Sequence, residues 1–402
     1  MDHHTATGRT GAPDAPPRPV PFFTHARSFE ERWPAIRDRL TEVADDGKFS
    51  HGSQVGRFEQ ALAAWTGARY AVGVNSGTDA LVLALRAMGL RPGDEVVVPA
   101  FSFMATASAV ALAGGTPVFA DIDPVGYGLD PAAADAAVTE RTRTLMPVHL
   151  FCQMADMGGL ARVAERHGLT VLEDSAEAIG MRWGGVHAGL LGAGGVLSFF
   201  PTKTLGALGD AGAFLTDDPQ LAETVAALRH HGRHGRTLGH FPGINRPTDL
   251  IGVNSKMDDL QAAVLLGKLP ALAEDIRRRA ALAAAYTERL RDVPGVLRLP
   301  TLVTHEVPTE PVFYVYLIEV ERRDALVAYL TEHGVGTETY YPVPLHLQPC
   351  FAHLGYRRGQ FPHAERACGR TVALPLYPDL GTDDVDRVCD LIRRFATGRA
   401  AR

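Results

Sequence analysis

The chain has 402 residues, 46% of them hydrophobic and 21% charged, with a net charge of −6. At about 150 residues per domain, this length allows two or three domains. The composition excludes a wholly disordered chain, a fibre and a disulfide-stapled miniature, and the acidic balance excludes a generally basic nucleic-acid binder.

Residues 1–19 are rich in Gly, Pro and Thr and read as a disordered tail, without the apolar core of a signal peptide. Residues 29–62 follow helical periodicity, with a break over 47–56. Seven apolar, strand-like runs come next, at 70–74, 95–100, 117–122, 144–151, 169–174, 195–200 and 211–216. Helical stretches such as 80–88 and 157–167 separate most of them. Apolar strands alternating with helices predict an α/β fold whose mostly parallel sheet is covered on both faces. Residues 260–291 form a long Ala/Leu/Arg helical region containing Pro270. Beyond the Pro- and Gly-rich stretch 293–311, residues 312–320 and 335–341 read as strands and 324–333 as a helix. Residues 382–395 read as the closing helix, with Thr382 at its N-cap and Asp383 and Asp384 in its first turn. The expected organisation is a large domain over 20–265 with an N-terminal helical arm. A bridging helix and a smaller α+β domain follow over 266–402. No apolar stretch reaches the roughly 20 residues needed to cross a bilayer. Cys152, Cys350, Cys368 and Cys389 contain no CxxC pair, so neither a disulfide framework nor a zinc site is expected, and a reducing cytoplasm is the simplest home.

Three segments carry candidate chemistry. In the first, a strand ends and a helix begins through Asn75, Ser76, Gly77, Thr78 and Asp79. Backbone amides freed there would cradle a phosphate, although the same residue types also simply cap helices. In the second, Asp174 ends an apolar strand, where open α/β sheets place ligands. Its carboxylate would hold a protonated ring nitrogen, or cap the next helix. In the third, Lys203 leaves a strand end into a glycine-rich loop, SFFPTKTLGALGDAG. Only four lysines occur in the chain (Lys48, Lys203, Lys256 and Lys268), so one in this place stands out. A lysine amine can form a Schiff base and, once freed, move protons. The bland alternative is a solvated surface lysine.

The three segments occur in one order, together with PAFSF, MPVHLF, EDSAEAIG, GVNSKMDDLQAA, YYPVPLH and ALPLYP. From about Val20 to Phe395 this set resembles the pyridoxal-phosphate-dependent sugar aminotransferases of the DegT/DnrJ/EryC1/StrS family. That family lies within the fold-type-I aspartate aminotransferase superfamily. The resemblance implies a PLP-transferase fold, with a mostly parallel seven-stranded sheet in the large domain. It gives Lys203 the position of the cofactor-bearing lysine and Asp174 that of the partner of the pyridinium nitrogen. Phe103 matches the aromatic stacked on the ring, and Gly77, Thr78 and Ser198 match phosphate-binding positions. Asn254 matches an asparagine that reaches the phosphate in the neighbouring subunit; read alone, it would cap a helix beginning near Met257. Glu177 falls near the cofactor's phenolic oxygen, where repulsion would leave it protonated or displaced. Cys152, where many relatives have Gly, reads as a small packing residue.

The implied activity transfers an amino group, with L-glutamate as the donor, to a nucleotide-linked keto-hexose in a homodimer with shared sites. No metal, membrane or nucleic-acid partner is expected. The rival activities are amination of a keto-cyclitol, sugar dehydration by relatives that carry His at the lysine position, and a non-catalytic regulatory role. Arg229, Arg233 and Arg236, with His230, His231, His234 and His240, offer cations for a nucleotide diphosphate, or form a solvated loop.

Overall fold

The computed structural model describes residues 18–50, 52–234 and 247–398. The expected tail up to residue 17, together with Arg236 and His240, lies outside the described residues.

Helices α1 (Ala26–Asp46) and α2 (Ser53–Thr66) form the N-terminal arm, each stopped by a left-handed glycine, Gly47 and Gly67. Pro34 is accommodated inside α1. The central sheet has seven strands: β1 (Tyr70–Val74), β2 (Glu95–Pro99), β3 (Thr116–Ala120), β4 (Thr142–Leu145), β5 (Thr170–Asp174), β6 (Gly194–Ser198) and β7 (Gly212–Thr216). Their order is β1-β7-β6-β5-β4-β2-β3. Strand β7 runs antiparallel to both neighbours and the other pairs are parallel. All seven match apolar runs read from the sequence, because a strand covered on both faces is apolar at nearly every position. The run 144–151 is the longest over-reading: its strand ends at Leu145, and the rest leads into the site as an irregular segment.

Helices α3 (Gly77–Ala87), α4 (Met104–Leu112), α5 (Pro131–Ala137), α6 (Met157–His167) and α7 (Pro219–Leu228) connect the strands. Side-chain alternation fills both faces of the sheet. Val96, Val98 and Phe214 pack with α3, α4 and α7, while Val97 packs beside α5 and α6 and Leu215 beside α2. The predicted long helix is divided in two at Pro270. Helix α8 (Asp259–Lys268) ends, a short 3₁₀ turn carries the proline, and α9 (Leu272–Leu290) begins.

The C-terminal part holds a three-stranded antiparallel sheet of β8 (Val296–Arg298), β9 (Tyr316–Val320) and β10 (Thr371–Leu374), in the order given. It also holds α10 (Arg323–Glu332), α11 (Pro362–Arg370) and α12 (Thr382–Ala396). The expected strand over 335–341 is absent: Val335 and Glu338 make only isolated bridges, to Val20 and Ala373, and β10 takes the ladder position instead. Thr382 is the first helical residue of α12, not its cap, because Gly381 occupies that position without a side-chain bond. Val20 is buried in the same cluster as Tyr286, Tyr316 and Ile392, so the start of the chain packs against its end. Among the described residues no helix is long and apolar enough to cross a membrane.

Candidate active site

The site forms at the carboxyl ends of β1, β5 and β6. The register pairs Val74 and Ser198 with Gly212, so the ends of β1 and β6 flank the start of β7. A Cβ on Gly212 would lie 2.4 Å from the Ser76 carbonyl carbon, and one on Gly77 would lie 3.0 Å from the Ser198 Cβ. These glycines bring the first turn of α3 against Ser198. The Ser76 hydroxyl accepts from the Asp79 amide at 3.1 Å, capping α3. The amides of Gly77 and Thr78, first in the helix, have no acceptor within it. Two free amides, the positive end of the helix dipole and the Ser198 hydroxyl make an anion cradle.

Asp174 ends β5 and is buried. Its Oδ2 accepts from the Thr106 hydroxyl at 2.8 Å, and its Oδ1 accepts from the Ala176 amide at 3.3 Å. Burial pushes its carboxyl up, against the opposing effect of these two bonds and of nearby Lys203 and His149. A buried carboxylate facing no direct cation suits a protonated ring nitrogen. Beside it, Glu173 is also buried and accepts from His149 Nε2 and from the amides of Gly189, Leu191 and Gly192. His149 Nδ1 accepts from the Ala155 amide, so the imidazole is the Nε2–H tautomer and its acceptor site is filled.

Lys203 Nζ lies 3.4 Å from Glu177 Oε1 and 4.4 Å from the centroid of the Tyr314 ring. Burial lowers its proton affinity, but Tyr314, Glu177 and Asp174 outweigh that and hold the ammonium above the usual lysine range. Glu177 also accepts from the Phe151 amide at 3.0 Å and the Tyr341 hydroxyl at 3.3 Å. Phe103, at the N-cap of α4, is 60% exposed with its ring 6.2 Å from Tyr341. It is therefore not a core residue, and its ring neighbours Tyr341, the residue that donates to Glu177. The Cys152 thiol is buried and pushed up to about 12, consistent with a packing role.

Asn254 stands apart from these groups. It is exposed and accepts from Lys256 Nζ. The capping alternative is overturned: α8 begins at Asp259 after Asp258, with no side-chain cap. Arg229, His230 and Arg233 line a cavity of about 720 Å³ with Lys48, Arg57 and Lys256. Arg229 is engaged there by Glu59 at 2.5 Å and by the Gly73 carbonyl. Among the described residues, no cluster of His, Cys, Asp and Glu is arranged to hold a metal ion.

Thr106, Tyr314, Tyr340 and Tyr341 were not singled out in the sequence. Tyr340 and Tyr341 lie within YYPVPLH, and Thr106 lies just beyond PAFSF, but none carries a spacing that marks it as a site residue.

The sheet order and this group of residues define a pyridoxal-phosphate transferase of fold type I. The chain belongs to the DegT/DnrJ/EryC1/StrS aminotransferase family, whose model matches residues 33–393. It is 42% identical over 382 residues to the pleiotropic regulatory protein of Geobacillus stearothermophilus, covering 94% of this chain and 100% of the relative. It is 39% identical to the dTDP-3-amino-3,4,6-trideoxy-alpha-D-glucose transaminase of Streptomyces venezuelae, covering 94% and 96%. The crystal structure of S. venezuelae DesV in complex with a ketimine intermediate superposes with a TM-score of 0.88 at 39% identity, covering 95% of this chain and 99% of that one. The buried Asp174 carboxylate, the adjacent lysine and the glycine-built anion cradle fit the family's cofactor, pyridoxal 5′-phosphate.

Proposed function

We propose that this chain transfers an amino group from L-glutamate to a nucleotide-linked keto-hexose, in a cytoplasmic pathway to an amino sugar of the kind built into antibiotics. The observation that carries the proposal is the cluster of Lys203, Glu177 and Asp174 at the strand ends beside the Gly77–Ser198 cradle. Pyridoxal phosphate supplies a carbonyl that condenses with amines and a ring that withdraws electrons from the adjacent carbon.

The chain's residues divide the remaining work. Gly77, Thr78 and Ser198 hold the phosphate, and Phe103 covers one face of the ring. Asp174 keeps the ring nitrogen protonated. With the cofactor bound, Lys203 would hold it, and Nζ, once free, would move a proton between the donor's α-carbon and the cofactor. The same residues would serve the keto-sugar half of the exchange. Glu177, itself held by Tyr341, fixes Nζ, and the cavity beside Lys256, lined by Lys48, Arg57, Arg229 and Arg233 as well as by Asp46, Glu59 and Glu223, offers cations for a diphosphate.

The working unit is a homodimer with shared sites. The exposed Asn254 supports this, as do the exposed apolar side chains Phe200, Leu208, Ile251, Val253 and Leu260 on the elements around Lys203 and Asn254. With a domain division at about residue 265, the Lys203 loop falls in the large domain and Tyr314 and Tyr341 in the smaller one, so the site draws on both. A regulatory role, suggested by the name of the Geobacillus relative, would need none of the Lys203 chemistry.

The test is to convert the pure protein to its pyridoxamine form and present dTDP- and UDP-linked keto-hexoses, keto-cyclitols and no acceptor. Reoxidation by a nucleotide keto-hexose supports the proposal. Reoxidation by a keto-cyclitol alone, or by none of them, overturns it.

A further inference from the structure

The start of α4 carries two kinds of side chain. Phe103 is exposed, while Ser102 and Thr106 on either side of it are buried. Ser102 Oγ and Thr106 Oγ1 are 2.8 Å apart, and Thr106 Oγ1 is 2.8 Å from Asp174 Oδ2. A carboxylate oxygen only accepts, so Thr106 spends its single proton on Asp174. Its oxygen then accepts the Ser102 proton. The two hydroxyls form one chain whose dipoles all point at the carboxylate.

Helical threonines elsewhere in this protein behave differently. Thr41, Thr66, Thr224, Thr287 and Thr331 each donate to the carbonyl four residues back, the bond a threonine makes when nothing else claims it. Thr106, in the first turn of α4, has no helical carbonyl four residues back and donates instead to a residue 68 positions away. The position four back is Ser102, whose side chain reinforces the donor instead.

We infer that Thr106, backed by Ser102, is a positioning residue that keeps Asp174 ionised toward the cofactor's ring nitrogen. This rests on the proposed role of Asp174. Asp174 is buried, so its charged form has few supports: the Thr106 hydroxyl, the longer Ala176 amide bond and the nearby Lys203. A hydrogen bond to the charged form favours it. Without that bond the proton shared between the ring nitrogen and Asp174 moves toward the carboxylate. The ring then withdraws electrons less strongly, and the nitrogen that joins it to Lys203 becomes more basic.

The experiment uses the full-length protein loaded with pyridoxal phosphate, as wild type, Thr106→Val and Thr106→Ser. Valine keeps the shape and loses the donor. Thr106→Val is expected to lower kcat by on the order of 10- to 100-fold, the worth of a hydrogen bond to a charged group, with KM for the acceptor little changed. The visible absorbance band of the bound cofactor is expected to titrate at higher pH, and Thr106→Ser is expected to restore both readings. A cofactor-loaded Thr106→Val whose kcat and titration midpoint match wild type overturns the inference. If Thr106→Val fails to fold, Ser102→Ala carries the test: a smaller shift in the same direction supports the inference, and no shift overturns it. Failure of the wild type to take up the cofactor would instead overturn the functional proposal.

Discussion

Replacing Glu177 by glutamine changes one charge at the centre of the site while preserving shape. Glu177 Oε1 lies 3.4 Å from Lys203 Nζ, with only 5% and 16% of the two side chains exposed. A unit charge at that distance is worth about 1 kcal/mol in a water-like medium and about 5 kcal/mol at an effective dielectric of 20. Burial works against the Lys203 ammonium, and Glu177 is one of three groups that overcome it. Removing the charge therefore lowers the proton affinity of Lys203, so neutral amine is present at lower pH. Only neutral amine condenses with the cofactor aldehyde. Even the smaller figure corresponds to about a fivefold change in the neutral fraction. Rapid mixing of cofactor-free protein with pyridoxal phosphate at pH 8 should show uptake at least severalfold faster in Glu177→Gln. The rise of rate with pH should also begin earlier than in wild type. The amide oxygen can still accept from the Phe151 N–H while its NH2 donates to the Tyr341 hydroxyl oxygen, so the fold is expected to persist. An uptake rate equal to wild type, in a variant with an unchanged circular dichroism spectrum, would refute the claim that Glu177 holds the Lys203 proton.

Two further outcomes follow from the geometry. Lys268 is buried, donates to the Gly206 carbonyl in the loop after Lys203, and is pushed down to about 8 by burial and by Arg32. The unfolded chain binds the extra proton between pH 8 and 10.5, so this group makes stability rise with pH across that window. Lys203, raised above 10.5, contributes no loss of stability there. Urea melts at pH 7 to 10 should show wild type gaining up to about 3 kcal/mol relative to Lys268→Met, and parallel curves would contradict the assignment. For the shared site, mixing inactive Lys203→Ala chains with inactive Asn254→Ala chains should recover activity in one site of each heterodimer. No recovery despite demonstrated subunit exchange would place Asn254 in its own chain's site.

The architecture was legible because both faces of the sheet are covered, which leaves each strand an apolar run bounded by turn residues. The misreadings have local causes. Residues 335–341 are apolar and aromatic enough for a strand, but they pass over the site, where Tyr340 and Tyr341 face Tyr314 and Glu177. Thr382 has the residue type of a cap, but Gly381 already provides the extended backbone that a cap needs. In the site, Lys203 and Asp174 announced themselves by residue type at strand ends, and Glu177 by the family resemblance. The contacts around them did not. Tyr314 lies 111 residues beyond Lys203, and Thr106 lies 68 before Asp174. A hydroxyl's direction is set by tertiary packing and leaves no periodic trace in the sequence. That Asn254 is exposed and accepts from Lys256 also required the fold, since the sequence allowed it to cap α8.

The central claim is that Lys203 carries the cofactor. Borohydride reduction of the protein loaded with pyridoxal phosphate, followed by peptide mapping, tests it directly, because only four lysines are available. The account predicts a single pyridoxyl label on Lys203, lost in Lys203→Ala. A label on Lys48, Lys256 or Lys268 instead would contradict it.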